Sequence, residues 1–75
     1  MDPTRRLDDA QKLARWLKKT WTLQGVNASL WIERVTYDRP GTAAVHHHYI
    51  RSNFDPMSGK LNDVVPSPEA AVFPV

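Results

Sequence analysis

Apolar residues recur at helical spacing along the first third of the chain. They are separated by alternating steps of three and four residues, which places them on one face of an α-helix. The residues that share this spacing are Leu7, Ala10, Ala14, Leu17 and Trp21. Asp2 and Pro3 suit the first turn of a helix, and Gly25 suits its end. The pattern therefore predicts an amphipathic helix over residues 3–22.

The next part of the chain is rich in residues that favour β-strands. Residues 26–37 and residues 43–54 each contain Val, Ile or Tyr at high density. Between the two runs, Pro40 and Gly41 have the order typical of the central positions of a type II turn. The two runs therefore predict an antiparallel hairpin that is closed by this turn.

The position of the turn predicts which residues of the hairpin face each other. With the turn centred on residues 40–41, Trp31 lies opposite Ile50. One face of the hairpin then carries Trp31, Val35 and Ile50, and we expect this face to pack on the helix. A shift of one residue would exchange the two faces, because side chains alternate along a strand.

The remainder of the chain predicts a second turn, a short strand and an extended tail. Residues 55–60 place a proline early and a glycine late, and residues 61–65 can return as a third strand. Three prolines in the tail are incompatible with a helix or a central strand. The sequence predicts an α+β fold in which one N-terminal amphipathic helix packs on a two- or three-stranded antiparallel β-meander. The domain covers residues 1–65, and an extended Pro-containing C-terminal tail covers residues 66–75.

Length and composition narrow the class of protein. A chain of 75 residues allows one small domain. The absence of cysteine excludes disulfides and thiolate metal sites. No run approaches the roughly 18–20 apolar residues of a membrane span, and the first residues do not resemble a signal peptide. We therefore expect a cytoplasmic protein with no membrane partner.

Three consecutive histidines are the most conspicuous candidates for chemistry. In a strand, His46 and His48 lie on the same side, about 7 Å apart. The predicted register places Glu33 opposite His48. Two imidazoles and a carboxylate suit zinc or non-haem iron, so these three residues are secondary candidates for metal ligands. Cross-strand pairing of His and Glu explains the same arrangement without a metal, and we expect no cofactor.

No catalytic motif is present in the sequence. None of the serines lies in a Gly-x-Ser-x-Gly context. Three glycines are too few for a glycine-rich phosphate loop, since two of them belong to the predicted turns. We therefore expect that the protein is not an enzyme.

Charge and aromatic residues favour a binding function. Residues 1–39 contain eight basic and five acidic residues, whereas residues 40–75 contain two basic and three acidic residues. The chain also has three Trp, two Tyr and two Phe, more rings than one helix and a small sheet can bury. Exposed aromatic residues beside arginine are typical of protein interfaces and of surfaces on which bases stack. The candidate binding residues are Arg5, Lys12, Arg15, Trp16, Lys19, Arg34, Arg39, His47, Tyr49 and Arg51.

Two functions fit these candidates. The first is a small non-enzymatic protein that binds a larger protein partner as an inhibitor or adaptor, of the type that phages and mobile elements encode. The alternative is a nucleic-acid-binding module that uses the basic helix face and the aromatic residues of the sheet. An exposed hairpin edge also leaves a homodimer open. Salt dependence distinguishes the two functions, because phosphate contacts weaken steeply as salt is added.

Overall fold

The computed structural model describes residues 3–75 and shows one helix packed on a three-stranded antiparallel sheet, with a second small hairpin. The elements are α1 (Leu7–Leu23), β1 (Leu30–Tyr37), β2 (Val45–Ser52), β3 (Phe54–Asp55), β4 (Lys60–Leu61) and β5 (Ala71–Phe73). The α+β fold class predicted from the sequence is confirmed. Within the described residues, no helix has both the length and the apolar character needed to cross a membrane.

The helix begins four residues later than the sequence predicts. Thr4 is paired with His48 at the edge of β2. The Thr4 N–H donates to the His48 carbonyl at 3.1 Å, and the His48 N–H donates to the Thr4 carbonyl at 2.7 Å. These two bonds hold Thr4 in an extended conformation, so that the first helical residue is Leu7. Asp2, the predicted cap, lies outside the described residues.

Glycines end the helix and close the hairpin at the predicted positions. Gly25 has a φ of +83°, in the left-handed region that favours glycine, and its N–H donates to the Thr22 carbonyl. Gly41 has a φ of +78°. The Thr42 N–H donates to the Arg39 carbonyl at 3.2 Å, which closes a four-residue turn around it.

The register of the hairpin differs by one residue from the prediction. Trp31 pairs with Arg51, not with Ile50. Residues 38–44 connect β1 and β2. The turn occupies residues 39–42, so that one residue of the connection precedes the turn and two residues follow it. This unequal spacing around the turn shifts the pairing by one position.

The shift changes which face of the sheet packs on the helix. Ile32, His48 and Ile50 lie on the helix side of the sheet, and Ile32 and His48 are buried. On the helix, Ala10 and Ala14 are completely buried and supply the contact. The core of the molecule therefore lies between the two alanines and this face of the hairpin.

The face that we expected to pack on the helix is partly exposed instead. Trp31 and Val35 point away from α1, and Ile50 does not share their face. Trp31 is buried on that side because residues 62–66 pass close to it. Val35 lies further along the same strand and is 39% exposed.

The third strand of the sheet is formed by the tail, and residues 61–65 do not supply it. β5 pairs antiparallel with β1, with Phe73 opposite Ile32, so that the strand order is β2-β1-β5. Pro68 and Pro74 lie on either side of β5, and proline is tolerated beside a short edge strand. β1 is therefore the central strand.

The second hairpin explains why residues 61–65 do not join the sheet. Leu61 pairs with Phe54 in the separate two-stranded sheet of β3 and β4. The Asp55 carboxylate accepts hydrogen bonds from the Met57 N–H and the Ser58 hydroxyl, both at 3.0 Å. This turn directs β4 back along β3 and away from the edge of β2.

Substitutions on the two faces of β1 test the observed register. We expect Ile32→Ala to lower the free energy of unfolding by about 2–4 kcal/mol, because it removes apolar volume between the helix and the sheet. Val35→Ala on the opposite face serves as the control, and its cost is less than about 1 kcal/mol because the side chain is partly exposed. Urea unfolding followed by tryptophan fluorescence measures both. A larger loss for Val35→Ala than for Ile32→Ala would contradict the register.

Candidate binding surface

The sheet has one face that points away from the helix, which we call the open sheet face. It consists of the odd-numbered residues of β1 and β2 beyond Trp31 together with the β5 residue that pairs with Glu33. Its members are Glu33, Val35, Tyr37, Val45, His47, Tyr49, Arg51 and Val72.

The predicted binding residues divide into two surfaces and one internal position. His47, Tyr49 and Arg51 belong to the open sheet face, and Arg5 and Arg39 lie at its edge beside Tyr37. The residues on the outer side of α1 are Lys12, Arg15, Trp16 and Lys19. Arg34 alone points to the helix side of the sheet. The structure therefore brings five of the ten candidates together around one sheet face.

The centre of the open sheet face is apolar and accessible. Val35 is 39% exposed, Tyr37 is 46% exposed and Val72 is 40% exposed. Val35 lies on β1 and Val72 lies on the neighbouring strand β5, where it pairs with Glu33. No described element covers this part of the sheet. A contiguous exposed apolar patch of this kind is typical of an interaction site.

Two tyrosines give this face a fixed shape. The hydroxyl oxygens of Tyr37 and Tyr49 lie 3.3 Å apart, so that one donates a hydrogen bond to the other. The Tyr37 ring also meets the His47 ring edge-on, with 5.0 Å between the ring centroids. Side chains that are already ordered lose less conformational entropy when a partner binds.

The hydrogen bond between the tyrosines has an electrostatic consequence. The hydrogen bond with Tyr37 is the largest cause that raises the pKa of Tyr49 above its ordinary value of 10.0, because a proton that Tyr49 donates to Tyr37 is harder to lose, and desolvation adds to the shift. Loss of the Tyr49 proton is therefore shifted further above physiological pH, and the hydrogen bond between the two tyrosines is retained there.

The acidic residue of the open sheet face is engaged within the face. The Trp31 indole N–H donates to a Glu33 carboxylate oxygen at 2.7 Å, and the Arg51 Nε lies 3.8 Å from the same oxygen. Glu33 is therefore held against its own sheet, whereas Arg5 and Arg39 extend at the edge. The open sheet face and its edge therefore carry a net positive charge.

Arg34 has a different environment from the other candidates. Its guanidinium carbon lies 4.5 Å from the centroid of the Phe73 ring, within the range of a cation–π contact. Its Nε donates to His48 Nε2 at 3.0 Å. These contacts attach β5 to the sheet, which favours a structural role for Arg34 over contact with a partner.

The three candidate metal ligands are separated by the sheet. Because the register is shifted by one residue, Glu33 lies opposite Tyr49, while His46 and His48 point to the other face. His46 Nδ1 is 2.8 Å from the Thr36 hydroxyl. Within residues 3–75, no group of three or more His, Asp or Glu side chains is arranged to hold a metal ion. The observed register therefore does not bring Glu33 together with His46 and His48, as the predicted register did.

The outer side of the helix forms a second exposed surface. Trp16 is 60% exposed, and Lys12, Arg15 and Lys19 are exposed around it. Residues at positions 12, 15, 16 and 19 fall within one sector of a helix with 3.6 residues per turn. This surface lies on the opposite side of the molecule from the open sheet face.

Sequence reasoning missed the apolar centre of the open sheet face. Val35 and Tyr37 have the period-two spacing of a single strand face, but the predicted register placed that face against the helix. Val72 carries no local signal, because its position depends on pairing with a strand about 40 residues earlier.

No protein-family model, no curated protein and no solved structure matches this chain. The geometry of its own surfaces is therefore the basis for the function that we propose.

Replacing Tyr37 tests the coupling between the two tyrosines. In Tyr37→Phe the hydrogen bond is lost, and we expect the pKa of Tyr49 to fall towards its ordinary value. In the wild type the raised pKa means that the hydrogen bond stabilises the fold at neutral pH and ceases to do so as pH rises through the pKa of Tyr49. Absorbance titration of tyrosinate measures the change. An unaltered Tyr49 midpoint in Tyr37→Phe would show that the two hydroxyls are not bonded in solution.

Proposed function

We propose that this protein is a small non-enzymatic binding protein that attaches to a larger protein through its open sheet face and acts as an inhibitor or adaptor. The observation that carries this proposal is the accessible group of Val35, Tyr37 and Val72 on one face of an ordered sheet. An apolar centre with polar and charged residues around it is the usual composition of a protein interface.

The charges of the face specify the chemistry of the partner. Arg5 and Arg39 lie at one end of the open sheet face, and Arg51 lies near the other. The one carboxylate among its members, Glu33, is within 3.8 Å of Arg51. Complementarity therefore favours a partner surface with an apolar group surrounded by acidic residues.

The same face is less suited to nucleic acid. Single-stranded nucleic acid is bound by successive aromatic rings on which its bases stack. The two tyrosines of this face are instead bonded to each other through their hydroxyl groups, and the other accessible apolar members, Val35 and Val72, are aliphatic. Arginine and tyrosine in this arrangement are typical of the residues that dominate protein–protein binding energy.

The outer side of the helix supports the alternative function. Trp16 is 60% exposed and is surrounded by Lys12, Arg15 and Lys19. A ring with a free face among three cations is suited to single-stranded nucleic acid, in which bases stack and phosphates pair with the cations. The two proposals therefore use opposite sides of the protein, and substitutions can separate them.

Affinity capture with paired variants tests the proposed interface. The bait is the full chain, the lysate is used with and without nuclease treatment, and a captured protein is then purified and titrated. We expect Val35→Asp to weaken its binding roughly tenfold or more, because a buried carboxylate in the apolar centre is uncompensated and repels an acidic partner. Val65→Asp is the matched control, since Val65 is 72% exposed and lies outside the open sheet face.

The helix variant Trp16→Ala completes the test. We expect it to bind the partner as the wild type does, and thermal unfolding confirms that each variant is folded. Equal binding by Val35→Asp and Val65→Asp would exclude the open sheet face as the interface. Loss of capture after nuclease treatment, together with loss in Trp16→Ala, would establish the nucleic-acid function in its place.

A further inference from the structure

A shallow depression lies at the turn end of the open sheet face. Its volume is about 520 Å³. The residues that line it include two arginines, a histidine and a tyrosine. The side chains that matter for its chemistry are Arg5, Tyr37, Arg39, Thr42, Val45 and His47.

Two distant parts of the chain place the arginines beside each other. The paired backbone of Thr4 and His48 holds the N-terminal segment along the edge of β2. Side chains alternate along an extended segment, so Arg5 lies on the side of the sheet opposite to Thr4, beside His47. Arg39 comes from the connection between β1 and β2, where the turn with Thr42 fixes its backbone. The depression therefore depends on the late start of α1.

The lining is positive and has no acidic member. Among the described residues, ion pairs join Arg6 to Asp8 and Arg51 to Glu33, and neither includes Arg5 or Arg39. A guanidinium group presents a planar set of donors that matches the oxygens of a carboxylate or a phosphate. Two such groups at one recess favour a ligand with negative charge.

The rest of the lining is apolar or aromatic. Val45 and Tyr37 line the same depression, and the Tyr37 ring is held in place by His47 and Tyr49. An inorganic ion alone would leave this surface uncovered. A ligand that carries its charge on a short apolar or aromatic body would cover it.

We propose that this depression binds an anionic oxygen group, a carboxylate or a phosphate monoester, attached to an apolar or aromatic body. Arg5 and Arg39 hold the anionic oxygens, and Tyr37 and Val45 contact the body. Within the proposed function the group belongs to an acidic or phosphorylated residue of the protein partner, and to that extent the inference rests on the proposed function. Binding of the group itself needs no partner and is tested separately.

Titration of the isotope-labelled full chain with two small probes tests the site. Phenyl phosphate represents the phosphate source and 3-phenylpropionate the carboxylate source, both at constant ionic strength adjusted with sodium chloride. We expect saturable shifts of the Thr42, Val45 and His47 amide signals, with a Kd of about 1 mM for a probe of this size. A Kd at least tenfold lower for phenyl phosphate assigns a phosphate, a Kd at least tenfold lower for 3-phenylpropionate assigns a carboxylate, and comparable values support a site that accepts either group.

Three variants separate a specific site from general charge attraction. Arg5→Ala and Arg39→Ala should each weaken probe binding about tenfold, because each removes one of the two guanidinium groups. Arg15→Ala on the outer side of the helix is the matched control and should leave the Kd within about twofold, since exposed charges that far apart are screened. Unchanged Thr4 and His48 amide signals verify that the N-terminal segment is still paired.

The outcomes distinguish this inference from the proposed function. The inference is overturned if neither probe causes saturable shifts, or if Arg15→Ala weakens binding as much as Arg39→Ala does. Because Val35 pairs with His47 of the lining, the uncharged variant Val35→Asn is used for this comparison, and it should reduce partner binding without changing the Thr42 shifts that the probes cause. Probe binding without any effect of Val35→Asp on a partner would retain the anion site and reject the open sheet face as the interface.

Discussion

The buried imidazole of His48 connects three parts of the chain that are far apart in sequence. Its Nδ1 lies 3.3 Å from the Thr4 carbonyl oxygen in the N-terminal segment, and its Nε2 accepts a hydrogen bond from Arg34 in β1. Its ring also meets the Phe73 ring of β5 edge-on at 6.4 Å. With Nε2 as an acceptor, the proton is on Nδ1 and the ring is neutral. A neutral ring is the form that can be buried beside a guanidinium group at acceptable cost.

The arrangement of the sheet follows from this central histidine. Arg34 lies between His48 and Phe73, so that the contacts of one side chain hold both the hairpin and the tail strand. Thr4 holds the opposite edge of β2. All of these contacts are on the helix side, and the tyrosines and valines are left on the other. The two faces therefore differ, because the packed face supplies stability and the open sheet face is left accessible.

Local chemistry in the sequence was enough to predict the helix, the hairpin and the fold class. The spacing of Leu7, Ala10 and Ala14 predicts the helix because burial on one face imposes that period. Pro40 and Gly41 predict the turn because their φ angles fit its central positions. Neither signal specifies how many residues lie on each side of the turn, and that number sets the register.

The parts of the structure that could not be predicted depend on pairing between distant residues. No local feature of the sequence around Thr4 favours a bridge to His48. Because Thr4 pairs there, the helix begins later than predicted and Arg5 lies beside the sheet. Arg34 was expected to contact a binding partner because of its charge. Its contact with Phe73 could not be predicted, because it depends on the pairing of the tail strand with β1.

The position of β5 has a consequence for how the protein folds. β1 is the central strand, yet the residue that pairs with Ile32 on one side is Phe73, which lies about 40 residues later in the chain. Until β5 docks, one edge of β1 has no neighbour even when the hairpin and the helix have formed. An open strand edge can pair with another chain. The interval before β5 docks is therefore the period in which this chain is most exposed to mispairing.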